Sequence, residues 1–191
     1  MEPKEWLCGS CLGGLRDRVE WGQRWISPWI RHTYLIGWVG DDPFLKSVVH
    51  SLKGGRQEFG LDLLVQQFLW HLSYAKPRPL QKKRRDQEGV IFYPSSGRFD
   101  HGQAIAERFG AYFDFPIHGL LKNKGLKQSL MGREQRHQRS FYKVKVPKGA
   151  QVLFVDDVVT TGATVLAAHK ALSQPSEMTV WSLFYRKNLY S

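Results

Sequence analysis

The chain has 191 residues, with 28 Lys and Arg against 17 Asp and Glu, a net charge of +11 and a pI near 9.8. One domain with a substantial core is the default at this length, and 42% hydrophobic against 24% charged residues excludes disorder as the overall state. There is no apolar run of about 18 residues, no apolar signal-like segment in Met1 to Leu15, and too few cysteines for a disulfide framework, so the expectation is a soluble cytoplasmic protein without a membrane span.

Five of the seven tryptophans fall in the first forty residues: Trp6, Trp21, Trp25, Trp29 and Trp38. Trp contributes large apolar area, so residues 1–38 read as a small extension packed onto a main domain of residues 39–191. From Asp42, with Pro43 in the first turn, Phe44, Leu45, Val48, Val49 and Leu52 repeat at helical spacing up to Gly54-Gly55. Residues 59–74 repeat the pattern with Leu61, Leu64, Val65, Phe68, Leu69 and Leu72. A basic, Pro-containing linker, 76–89, follows. The period then changes. Residues 89–93 read as a buried strand, Pro94 to Gly97 as a turn, 101–112 as a helix and 116–121 as a further strand. Residues 122–139 are polar nearly all round and read as exposed or mobile. Gln151 to Val155 is a buried strand, 164–172 a helix and 177–185 a last strand. Strands alternating with helices predict an α/β fold with a parallel-rich sheet.

The charge is uneven. Residues 76–85 carry six basic side chains and no acid; residues 122–148 carry nine and only Glu134. The rest of the chain is net −3. Such concentrations attract polyanions, either a phosphorylated small molecule or a nucleic acid, or else they are solvated loops.

The chemistry concentrates in Val152 to Thr164. An apolar strand ends in Asp156 and Asp157, and a loop of hydroxyls and small residues leads into a helix. Ligands of parallel sheets bind at the carboxyl ends of strands, and helix N-termini favour phosphate. Thr160, Thr161 and Thr164 add hydroxyl donors; Gly162 and Ala163 let a ligand approach the backbone. Two carboxylates beside a phosphate need other partners, and sugar hydroxyls or a divalent cation are the natural ones. The pattern asks for a sugar phosphate with vicinal hydroxyls. The plain alternative is a strand, turn and helix in which Asp157 caps and the threonines are turn residues.

Val155 to Thr164 resembles, without gaps, the phosphoribosyl-pyrophosphate (PRPP) motif of type I phosphoribosyltransferases. Cys8-x-x-Cys11, the helix end Ser51-Leu-Lys-Gly-Gly and the stretch Gln128-Ser-Leu…Arg133…Arg136…Phe141 are similar to the ComF/GntX family, whose ComF members are associated with competence and DNA uptake. The resemblance implies that Asp156 and Asp157 hold the ribose hydroxyls, with catalytic roles, and that Thr160 to Thr164 wrap the 5′-phosphate. It implies pyrophosphate contacts from Lys127 on a closing loop, with Mg²⁺ accompanying PRPP. The loop Pro94 to Gln103 is shorter and altered from the family pattern, and Ser95 and Ser96 there either form an anion nest for pyrophosphate or belong to a plain surface turn. It implies transfer of phosphoribosyl to an unidentified acceptor, or a non-catalytic PRPP sensor that binds single-stranded DNA and a DNA-uptake helicase. The family's zinc-ribbon-like start has a second cysteine pair that this chain lacks. Cys8 and Cys11 alone do not complete a tetrahedral zinc site: either the site is lost, or a residue such as His32 or a second subunit completes it.

Overall fold

A computed structural model describes residues 13–15, 17–40, 42–52, 58–74, 89–95, 101–121, 141–147 and 149–187. The elements run β1 (Gly22–Ser27), β2 (Ile30–Val39), α1 (Pro43–Leu52), α2 (Glu58–Tyr74), β3 (Gly89–Ser95), α3 (His101–Phe113), β4 (Ile117–Leu121), β5 (Gln151–Val159), α4 (Ala163–Ala171) and β6 (Met178–Lys187). Every segment expected from hydrophobic period within the described residues forms an element of the expected type. The polar segment 122–139, expected to be exposed or mobile, lies outside them. No helix of the described residues is long and apolar enough to cross a membrane.

The helices form because their apolar spacing makes one buried stripe each. In α1 Leu45, Val48 and Leu52 are buried, and Asp42 Oδ1 accepts from Leu45 N at 3.0 Å, capping the helix start. That backbone bond, ahead of the Arg18 guanidinium 3.2 Å away, holds the Asp42 carboxyl below its ordinary range. In α2 the buried set is Leu61, Leu64, Val65, Phe68 and Leu72; in α3 it is Ile105, Ala106, Phe109 and Phe113. Arg108 on α3 bonds Asp62 on α2.

Six strands form one sheet in the order β1-β2-β6-β5-β3-β4. All neighbours are parallel except the edge pair β1–β2. This is an α/β fold with a parallel-rich sheet flanked by helices, as expected. Residues 22–39 supply two strands of the sheet itself, since β2 pairs with β6 from Ile30↔Met178 to Val39↔Lys187, while Trp25 and Trp29 are exposed. The alternation of β2 was masked in the sequence by Arg31, His32 and Thr33.

The sheet has a core on each face. One is aromatic, with Trp181 in ring contact with Phe68, Phe109 and Phe113 of α2 and α3. The other packs Val152, Phe154, Met178 and Val180 under Val165, Ala168 and Ala171 of α4. Strict alternation fails at one height. Leu35 and Ile36 both face the aromatic core, as do Leu183 and Phe184. On β5, Val155 and Val158 meet that core, so two residues, Asp156 and Asp157, stand where alternation allows one. The three strands slip together, and the register Tyr34↔Ser182↔Asp156 and Ile36↔Phe184↔Val158 is kept. Such local departures re-aim side chains at strand ends.

Candidate functional site

β3 and β5 are neighbours, but their onward connections diverge. β3 leads through α3 to β4 on one side, and β5 leads through α4 to β6 on the other. This reversal is the place where open parallel sheets bind ligands. The β3–β5 ladder runs from Gly89↔Gln151 to Phe92↔Phe154, while both strands continue and pair outward. Pro94 supports the opening, because it has no N–H to donate. The strands therefore part at their carboxyl ends, with Ser95 finishing one wall and Asp156, Asp157 and Thr160 the other.

Asp156 is buried and Asp157 half-buried. Each turns one carboxylate oxygen back onto the chain: Asp157 N donates to Asp156 Oδ1 at 2.9 Å, and Val158 N to Asp157 Oδ1 at 2.8 Å. These bonds fix both carboxylates at the mouth of the crevice. Both acids lie within β5, which runs to Val159 rather than stopping at Val155. The strand outlasts the apolar run because β6 continues beside it.

Thr160 and Thr161 are exposed, and Thr161 Oγ1 accepts from Ala163 N at 3.4 Å. Gly162 has φ +79° and starts α4, and its carbonyl accepts from Leu166 N at 2.9 Å. Glycine takes this conformation without the Cβ penalty of other residues. The structure thus brings Asp156, Asp157, Thr160, Thr161, Gly162, Ala163 and Thr164 together in one strand–loop–helix unit. Ser95 ends β3, buried and paired with Leu121, rather than sitting in the turn expected at Pro94–Gly97. The parallel partner β4 extends the strand through Pro94. Ser96, Lys127, Cys8 and Cys11 lie outside the described residues.

Next to Asp156 lies a polar group that hydrophobic period did not reveal. Ser182 is its neighbour in the β5–β6 ladder. The Ser182 hydroxyl donates to Phe184 O at 2.8 Å, so it accepts from His32 Nε2–H, also at 2.8 Å. His32 is fully buried, and burial first, then the Arg24 charge, push it down to about 3. It is a neutral member of the sheet interior. A polar residue at inward positions of two apolar strands, His32 and Ser182, was the available signal.

Among the described residues no three His, Cys, Asp or Glu side chains form a metal-holding group. The Asp156–Asp157 pair offers hard oxygen donors of the kind Mg²⁺ uses when phosphates supply the remaining ligands.

Neither a protein-family model nor a curated protein matches the chain. Among solved structures it is similar to an adenine phosphoribosyltransferase at 16% identity, over 92% of this chain and 89% of that one, with a TM-score of 0.45. It is similar to the Saccharomyces cerevisiae adenine phosphoribosyltransferase, complexed with an imino-altritol bisphosphate and adenine, at 17% identity over 93% and 89%, TM-score 0.45. It is also similar to Trypanosoma cruzi hypoxanthine phosphoribosyl transferase at 14% identity over 66% and 62%, TM-score 0.34.

Proposed function

We propose that the protein binds PRPP and transfers its phosphoribosyl group to an acceptor. The observation that supports this is the Asp156–Asp157 pair at the carboxyl end of β5, followed at once by a threonine loop whose left-handed Gly162 opens α4. In this reading the two carboxylates accept from the ribose 2′- and 3′-hydroxyls. Backbone N–H groups of the loop and the hydroxyls of Thr160, Thr161 and Thr164 donate to the 5′-phosphate. Mg²⁺, when bound with the diphosphate, supplies charge neutralisation for the leaving group. The bond from C1 to pyrophosphate breaks, the acceptor bonds to C1, and the acceptor's proton leaves to solvent. Asp156 and Asp157 hold the ring while positive charge grows at C1. Ser95, Ser96 and Lys127 are proposed to meet the pyrophosphate.

Calorimetric titration of PRPP in the presence of Mg²⁺ tests the site, and pyrophosphate release with candidate acceptors tests the chemistry. Absence of PRPP binding sinks the reading.

A second reading is a non-catalytic PRPP sensor of the ComF kind that binds single-stranded DNA and works with a DNA-uptake helicase. It is favoured by Trp70 and Tyr74 at the end of α2, 53% and 70% exposed with ring centroids 4.7 Å apart. They precede the basic 76–85 run, and base stacking beside positive charge suits single strands. Oligonucleotide affinity that drops in Trp70→Ala and falls steeply with salt supports it. No affinity at low salt removes it.

A further inference from the structure

The face beneath the Thr160–Thr164 loop holds a cation that the chemistry above does not use. Arg24 sits on the edge strand β1, opposite His32 in the β1–β2 ladder. Its Cζ stands 4.8 Å over the Tyr185 ring. Tyr185 pairs with Val159, the residue before Thr160. Ile26, two residues beyond Arg24 and packed into the same core, lies against Gly162 at the entrance to α4. Through Tyr185 and Ile26, Arg24 is linked to Val159 before the loop and to Gly162 within it.

Arg24 is incompletely satisfied. Its Nε is buried without a hydrogen-bond partner, and so is Nδ1 of the fully buried His32 beside it. Among the described residues no carboxylate pairs with Arg24. Since Ser182 takes the Nε2–H of His32, Nδ1 carries the lone pair, and this neutral ring brings no charge that competes with an anion. A partly buried cation whose main partner is an aromatic face is costly to hold, and an anion meeting its terminal nitrogens, not the buried Nε, would balance its charge. Guanidinium is suited to a two-point grip on phosphate.

We propose that Arg24 completes the phosphate cradle, so that the phosphate of the ligand is held between the N-terminus of α4 and an arginine of the edge strand. The proposal rests on reading the Thr160–Thr164 loop as a ribose-phosphate site, and it deepens that reading. A terminal phosphomonoester, with three unesterified oxygens and a second negative charge, suits a grip from two sides better than a diester does. The proposed ligand class is accordingly a terminal phosphomonoester rather than a phosphodiester within a nucleic-acid backbone.

The test is calorimetry with ribose 5-phosphate on the full chain, wild type against Arg24→Gln and Arg24→Lys, with the ³¹P resonance of the bound ligand followed in parallel. A lost charged hydrogen bond predicts affinity about tenfold or more weaker in Arg24→Gln, and a smaller loss of about threefold or more in Arg24→Lys. The bound ³¹P shift moves toward its free value in both. If the wild type binds neither ribose 5-phosphate nor PRPP, the ribose-phosphate reading falls and Arg24 with it. If the wild type binds and Arg24→Gln binds equally, only the role of Arg24 falls. Should Arg24→Gln not fold, Arg24→Lys decides: unchanged affinity overturns the proposal, because an ammonium cannot reproduce a two-point contact.

Discussion

Ile26 of the edge strand closes against Gly162 of the ligand loop: a Cβ built on Gly162 would stand 3.1 Å from Ile26 Cγ2. The loop is thus seated on β1, three strands away from β5 in the sheet order. Gly162→Ala meets two obstacles, a crowded contact and φ +79°. The conformational penalty alone is about 1–2 kcal/mol. The melting temperature is expected to drop by about 2–8 °C, since a chain of this length shifts by roughly 2–4 °C per kcal/mol. Ribose-phosphate affinity should fall with it, because the amides of α4 lose their placement. Unchanged melting and binding in the alanine variant would remove Gly162 from the site.

Asp156 and Asp157 should separate stability from binding. Asp156 Oδ1 and Asp157 Oδ1 each accept from the next residue's backbone N–H, and Asn keeps that acceptor. Asp156→Asn and Asp157→Asn are therefore expected to fold and to melt near the wild type. What they lose is negative charge facing the ligand. A charged hydrogen bond contributes about 1.5–3 kcal/mol, so PRPP affinity in calorimetry should fall by about 10- to 150-fold. Full PRPP affinity in both variants contradicts the assignment of the pair to the ribose.

Most elements were legible because each buries one periodic stripe, as Leu45, Val48 and Leu52 do on α1. The strand–loop–helix unit was legible because it is continuous in sequence. The polar floor was not. His32 and Ser182 are 150 residues apart, and only the β2–β6 pairing brings them to 2.8 Å. Arg24 was equally silent, since an arginine near the start of a chain reads as surface. Pro94 misled for a local reason: proline and two serines signal a turn, yet β4 supplies a partner that extends β3 to Ser95. Tertiary pairing overrode local preference there, as it did in extending β5 through both acids.

The His32–Ser182 bond should behave as a coupled buried pair. Ser182→Ala leaves the His32 Nε2–H without its acceptor in a fully buried place. An orphaned buried donor costs about 1–3 kcal/mol, whereas removing both partners is nearly neutral. Ser182→Ala combined with His32→Leu is therefore expected to be more stable than the two single losses add up to. Urea unfolding of the four proteins gives the coupling directly. Additivity within about 0.3 kcal/mol would show that the pair does not interact.

The same histidine sets a pH dependence with a definite sign. Burial, and after it the Arg24 charge, lower His32 from 6.5 to about 3. The rings of Tyr34 and Tyr185 face the same imidazole. Between pH 6.5 and 3 the unfolded chain takes up a proton at this position that the folded chain refuses. Stability from His32 is complete above about pH 6.5 and is lost as the pH falls. One such proton gives a slope of up to about 1.4 kcal/mol per pH unit, or about 1.6 kcal/mol from pH 6.5 to 5. His32→Gln keeps a donor for Ser182 and carries no titrating group. Its urea midpoint should therefore fall less than that of the wild type over this interval, while the other six histidines contribute equally to both proteins. Parallel pH profiles for the two would mean that His32 is charged, or absent from the interior, in the folded protein.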